Sequence, residues 1–153
     1  MRRVADALYQ AAIVAWVGGM WAIGYLAAPV LFASLGDRQL AGVVAGKLFS
    51  LNGWIGLGCA AYIVLFLISR WRGQVFRHSA FWLTLIMGGL VAVGQFGLQP
   101  LMVQLKADAW PRDVMESVLR DRFVAWHGVS SILYLVQSVL GLWLVLAGGR
   151  GLR

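Results

Sequence analysis

Six polar side chains stand inside otherwise apolar stretches of this chain: Asn52, Gln95, Gln99, His127, Ser131 and Tyr134. At about 100° per residue, Gln95 and Gln99 share a helix face with Gly88, Ala92 and Met102. His127 shares one side of a second helix with Ser130, Ser131, Tyr134 and Ser138. Polar side chains within apolar helices turn toward neighbouring helices or a water-filled cavity. The two stripes, with Asn52 from a third helix, are expected to converge as a polar pocket in the outer half of a helical bundle. Its chemistry is recognition: hydrogen bonding to a small solute or ion that is bound or transported. The competing reading is interhelical hydrogen bonding alone, worth about 1 kcal/mol or less per contact in lipid.

Metal and redox chemistry find thinner support. His127 and Met102 together offer imidazole and thioether, ligands that suit Cu(I). The apolar stretches hold no second histidine, no cysteine pair and no Met-x-x-Met cluster. Haem would find one axial histidine at most, because His78 falls in a loop. No cofactor is therefore expected, with Cu(I) and haem the two kept open. Nor is an enzyme expected. The apolar stretches contain no carboxylate, and no local acid orients His127 toward the serines around it. Neither a phosphate-binding loop nor a dinucleotide fingerprint is present, and "WVGGMW" is not one.

The elements that must position these residues are four long apolar runs: Ala7 to Leu35, Leu48 to Ser69, Ala80 to Val103, and Phe123 to Ala147. Each supplies the roughly 20 residues a membrane span needs. The chain is 61% hydrophobic and 12% charged over 153 residues, where soluble domains are about half apolar and a quarter charged. The expected fold is all-α: one integral membrane four-helix bundle over residues 1–153, with no soluble domain and no internal repeat. Arg2 and Arg3 resemble the basic start of a signal peptide, but the first run far exceeds the roughly 7–15 apolar residues of a signal core. Pro29 removes a backbone donor and crowds the carbonyl near Tyr25, which predicts a kink or a helix end there.

Charge sets the expected topology. Arg2, Arg3, Arg70, Arg72, Arg77, Arg150 and Arg153 fall on one side, and by the bias of basic residues in short loops that side is cytoplasmic. Both termini are then inside a bacterial inner membrane. The net charge of +7 points to anionic lipid headgroups as partners rather than nucleic acid. The outer segment "WPRDVMESVLRDRF" reads as a short amphipathic helix, with Pro111 in its first turn, acids early, bases late, and Trp110 as interfacial anchor. Trp71, Trp82 and Trp126 also sit near span ends, where aromatic belts form. Lys47 lies 22 uncharged residues from Arg70. That is one membrane thickness, so Lys47 is expected to cap the outer end of the second helix and snorkel.

Small residues suggest how the helices meet. Ala11, Ala15, Gly18 and Ala22 line one face of the first helix, and Gly42, Gly46, Gly53, Gly56 and Ala60 one side of the second. Such faces allow close helix approach and permit a homo-oligomer. The single cysteine, Cys59, excludes an internal disulfide.

Residues 16–49, "WVGGMWAIGYLAAPVLFASLGDRQLAGVVAGKLF", resemble the domain of unknown function 4149 family, four-helix membrane proteins akin to transmembrane protein 205. "GLQPLM" at 97–102 and "WHGVSSILYLVQSVLGL" at 126–142 carry the resemblance across nearly the whole chain. It implies a small integral membrane protein of unsettled biochemistry, in a family sometimes linked to metal or metallodrug handling. It marks Gly18, Gly19, Pro29, Phe32, Gly42, Gly46 and His127 as motif positions, none of them established as catalytic. The family is also distantly similar to copper-resistance membrane proteins and to a haem-binding oxidase of porphyrin synthesis, groups that use more histidines than this chain has. A structural or accessory membrane subunit without a ligand is the alternative to the solute-binding reading, and a haem-binding redox enzyme the distant third.

Overall fold

The computed structural model describes residues 2–110 and 113–148. It is all-α and contains four helices long and apolar enough to cross a membrane: α1 (Arg3–Ser34), α2 (Arg38–Arg77), α3 (Ser79–Ala109) and α4 (Arg120–Gly148). Each helix packs against its two neighbours in a ring, α1 and α3 each touching both α2 and α4. Short connections between consecutive helices force this antiparallel order. One end of the bundle therefore carries the turn between α2 and α3, the start of α1 and the end of α4 (the terminal end). The other carries the loops at 35–37 and 110–119 (the loop end). Arg150 and Arg153 lie outside the described residues, as do Pro111 and Arg112.

The helices outrun the apolar stretches, because capping rather than hydropathy sets where a helix begins. Asp37 accepts hydrogen bonds from the backbone N–H groups of Gln39 and Leu40 at 2.8 and 3.1 Å, a cap worth about 1 kcal/mol. α2 thus starts ten residues before the expected Leu48. Lys47 does not cap the helix: it lies well inside α2 and is exposed, alongside exposed Leu51 and Trp54. At the other end, Arg72 takes φ 46°, a region that favours glycine, and a 3-10 turn over Arg72–Arg77 leads into α3.

Pro29 does not end α1. The helix widens into a π-helical turn over Ala22–Ala27, where Ala28 N–H reaches Ile23 O, five residues back, and then runs on to Ser34. α3 repeats the device: Gly94–Leu98 is π-helical and Gln99 N–H reaches Gly94 O, just before Pro100. A proline in a helix lacks its N–H and clashes with the carbonyl four residues back. A widened turn ahead of it re-routes the hydrogen bonds without breaking the rod.

The expected amphipathic helix at the loop end is absent among the described residues. Val114–Glu116 forms a single 3-10 turn. Asp113 accepts from Met115 N–H at 2.9 Å, and Ser117 both donates to Val114 O and accepts from Leu119 N–H. These short side chains compete for the backbone groups a helix would use.

The core occupies the terminal half. Tyr9, Ile13, Trp16, Val17 and Met20 of α1 pack with Ile63, Phe66 and Leu67 of α2, Met87 and Val91 of α3, and Leu144 of α4. The small-residue face of α1 turns outward instead: Ala11, Ala15, Gly18 and Ala22 are exposed, and a Cβ on Gly18 would meet nothing within 4 Å. Large side chains win the interior because four helix backbones enclose more volume than alanines can fill at native density. Their partners are glycines on other helices. The Trp16 indole Nε1 lies 2.6 Å from where a Gly56 Cβ would stand, and Met20 and Val17 close on Gly141 at 3.1 Å. The α2 stripe packs at Gly53, Gly56 and Ala60, while Gly46 faces open space. Toward the loop end packing thins, and no residue of Ala22–Ser34 is buried.

Candidate functional site

Above the core, polar groups from every helix form a belt. Asn52, at 8% exposure, places Oδ1 against α1, 2.8 Å from the position a Gly19 Cβ would take. Gln95 crosses from α3 to α2, where Nε2 donates to Ser50 Oγ at 3.0 Å and Oε1 presses on Gly53. From α4, the Tyr134 hydroxyl donates to Met20 O on α1, its ring fills the space over Gly24, and Phe49 meets it edge-on at 5.2 Å. Tyr25 OH donates to Ser138 Oγ at 2.9 Å, and Ser138 Oγ donates in turn to Tyr134 O. A Cβ at Gly24 would collide with the Tyr134 ring, and at Gly19 or Gly53 it would press on the amide ends of Asn52 or Gln95, which would have to shift.

Three of the six expected site residues, Asn52, Gln95 and Tyr134, are thus brought into the bundle from α2, α3 and α4. Gln99 and Met102 are half-buried further along α3. His127 and Ser131 lie exposed on α4. The His127 ring stacks on Phe123 at 5.8 Å, and Ser131 Oγ donates to its own helix at His127 O, 2.9 Å away. The period of α4 puts these two on the same broad side as Tyr134, but the α4 surface near the loop end has little packed over it.

Two features escape the sequence reading, one in the belt and one nearer the loop end. Gln137 is buried at 8% exposure, one turn from Tyr134. Neither it nor Asn52 forms a side-chain hydrogen bond among the described residues. Their amide atoms are nevertheless not sealed off: the fully enclosed, unpaired side-chain atom among the described residues is the Tyr9 hydroxyl. The second feature is Lys106. It continues the Gln95, Gln99, Met102 stripe at helical spacing, which was the signal that could have found it. Its ammonium donates to Gly42 O of α2 at 3.1 Å and lies 5.7 Å from the Phe123 ring centre.

Among the clefts on the bundle surface, two open toward the terminal end. One, about 240 Å³, is lined by Ala5, Asp6, Phe66, Ser69 and Arg70. The other, about 330 Å³, is an apolar groove between α3 and α4 with Trp82, Leu140 and Trp143 among its walls. Among the described residues no three His, Cys, Asp or Glu side chains gather as metal ligands. Neither histidine is buried, and His127 is exposed beside the Phe123 ring.

A family model described as Domain of unknown function (DUF4149) matches residues 11–111, two thirds of the chain. The match takes in most of α1 and all of α2 and α3, with Asn52 and Gln95, and ends before the α4 residues Tyr134, Gln137 and Ser138. No curated protein and no solved structure matches the chain.

Proposed function

We infer from the belt that this chain, which belongs to the domain of unknown function 4149 family, is a membrane protein that binds a small uncharged polar solute between its helices. The observation that carries the reading is the pair of amides Asn52 and Gln137, largely buried, without a side-chain hydrogen bond, and yet not sealed off. A primary amide brings two donors and two acceptor lone pairs. A solute carrying both donors and acceptors can pair with them, and one bearing a fixed charge finds no counter-charge among the amides and hydroxyls of the belt. The same donor set supports binding or passage rather than catalysis.

The setting proposed is the bacterial cytoplasmic membrane with both termini inside. Arg3, Arg70, Arg72 and Arg77 at the terminal end support that orientation. The segment at 110–119 then lies at the outer interface. Trp110 at 71% exposure and Val118 at 99% are the side chains that would enter the headgroup layer. The outward small-residue face of α1 leaves room for a second copy of the chain.

A second reading, a packing subunit without a ligand, is favoured by the bonds Tyr134–Met20, Tyr25–Ser138 and Gln95–Ser50, which need no solute. Native mass spectrometry of the gently purified protein separates the two. Solute binding predicts a defined small added mass, lost in Asn52→Leu and Gln137→Leu while both variants stay folded. The packing reading predicts the bare chain mass in all three.

A further inference from the structure

All four helices meet at one cation near the loop end. Lys106 reaches from α3 to the Gly42 carbonyl of α2 at 3.1 Å, with the Phe123 ring of α4 at 5.7 Å. The space over Gly42 is walled by this ammonium and by Phe32 of α1: a Cβ there would stand 3.6 Å from Lys106 Nζ and 3.9 Å from Phe32 Cζ. The amine is half-buried. An ammonium has three donors, and here one carbonyl and one ring face account for the contacts it makes. No carboxylate lies within ion-pair distance of it among the described residues. Asp113 is the acid whose charge reaches it, and that carboxylate is already engaged with Met115 N–H. The other acids at this end, Asp37, Asp108, Glu116 and Asp121, are exposed.

A partly desolvated cation with free donors and no paired carboxylate is an unfinished ion pair, and in or near a bilayer such groups are costly unless matched. We propose that Lys106, with the Gly42 carbonyl and the Phe32 and Phe123 rings around it, is a seat for a single oxyanion, a phosphate or carboxylate group. That group comes from a lipid headgroup or from a free small anion. The Phe123 ring stands beside the ammonium, and with no side chain on Gly42 the gap between Lys106 Nζ and Phe32 stays open to one oxygen of the group. The seat is separate from the mid-bundle belt and does not depend on the solute reading.

The test uses the full chain, delipidated in a neutral detergent, with thermal stability followed during two separate titrations. One adds inorganic phosphate and the other adds phosphatidylglycerol in mixed micelles. The expected result is saturable stabilisation by at least one of them in the native chain and in Lys106→Arg, with apparent affinity at least tenfold weaker in Lys106→Gln. Stabilisation by phosphate assigns a free anion, and stabilisation by the lipid alone assigns a headgroup. Gly42→Val keeps the charge but fills the seat, and should weaken binding as much as Lys106→Gln does, so it decides the question if Lys106→Gln fails to fold. The proposal is overturned if neither anion stabilises the native chain, or if Lys106→Gln, or Gly42→Val in its place, titrates like the native chain.

Discussion

Gly24→Ala is the sharpest test of how the belt is built. A Cβ there would run into the Tyr134 ring, at Cε1, at the hydroxyl (2.8 Å) and at Cζ (2.9 Å). The ring is held from behind by Phe49, edge-on at 5.2 Å, and its hydroxyl is tied to Met20 O. To admit the methyl group it must turn out. That sacrifices an interhelical hydrogen bond worth about 0.6–1.7 kcal/mol and an aromatic pair worth about 0.5–1.5 kcal/mol. Replacing glycine by alanine within a helix returns up to about 1 kcal/mol. The net expectation is destabilisation by about 1–2 kcal/mol, measured by SDS-driven unfolding in mixed micelles. In a Tyr134→Ala background the obstacle is gone, so the same change should become neutral or stabilising by up to about 1 kcal/mol. A double-mutant cycle therefore predicts a coupling of about 2 kcal/mol between the two positions. If Gly24→Ala costs the same in both backgrounds, or nothing in the native one, the account of Tyr134 as a wedge between α1 and α4 is refuted.

Other substitutions probe the rest of the fold. Gly18→Ala should be neutral or raise stability by up to about 1 kcal/mol in the same unfolding assay, because it faces open space where Gly24 does not. Trp16→Ala, which empties a position 1% exposed against Gly56, should cost about 3–5 kcal/mol and lower the thermal midpoint accordingly. Arg72→Gly should raise stability by about 1 kcal/mol, since glycine takes φ 46° without strain.

The positions of the four helices were legible because hydropathy reports which solvent surrounds a segment. The helix ends were not, because Asp37 extends α2 through a hydrogen-bonded cap that hydropathy does not register. Pro29 was read as a kink or a stop; the widened turn ahead of it follows from re-routing hydrogen bonds across five residues, which a pattern of apolar residues does not encode. The face of α1 was misread for a physical reason. A small-residue stripe permits close approach, but Tyr9, Trp16 and Met20 occupy the opposite face and fill the bundle better. Among the site residues, Asn52, Gln95 and Tyr134 were found because each is polar in mid-span. His127 and Ser131 satisfied the same test, yet lie where α4 has shed its neighbours. Gln137 satisfied it too, and was passed over because it falls one residue short of the serine and tyrosine stripe.

The claim that the belt receives a polar solute requires that small hydrophilic molecules reach Asn52. With Cys59→Ser removing the single native thiol, Asn52→Cys can be challenged with a small uncharged, hydrophilic methanethiosulfonate in reconstituted vesicles, with Gly36→Cys in the exposed loop as the control. The account predicts labelling at both positions, slower at Asn52→Cys. Labelling of the loop with none at Asn52→Cys would contradict it, and would leave the belt as packing alone.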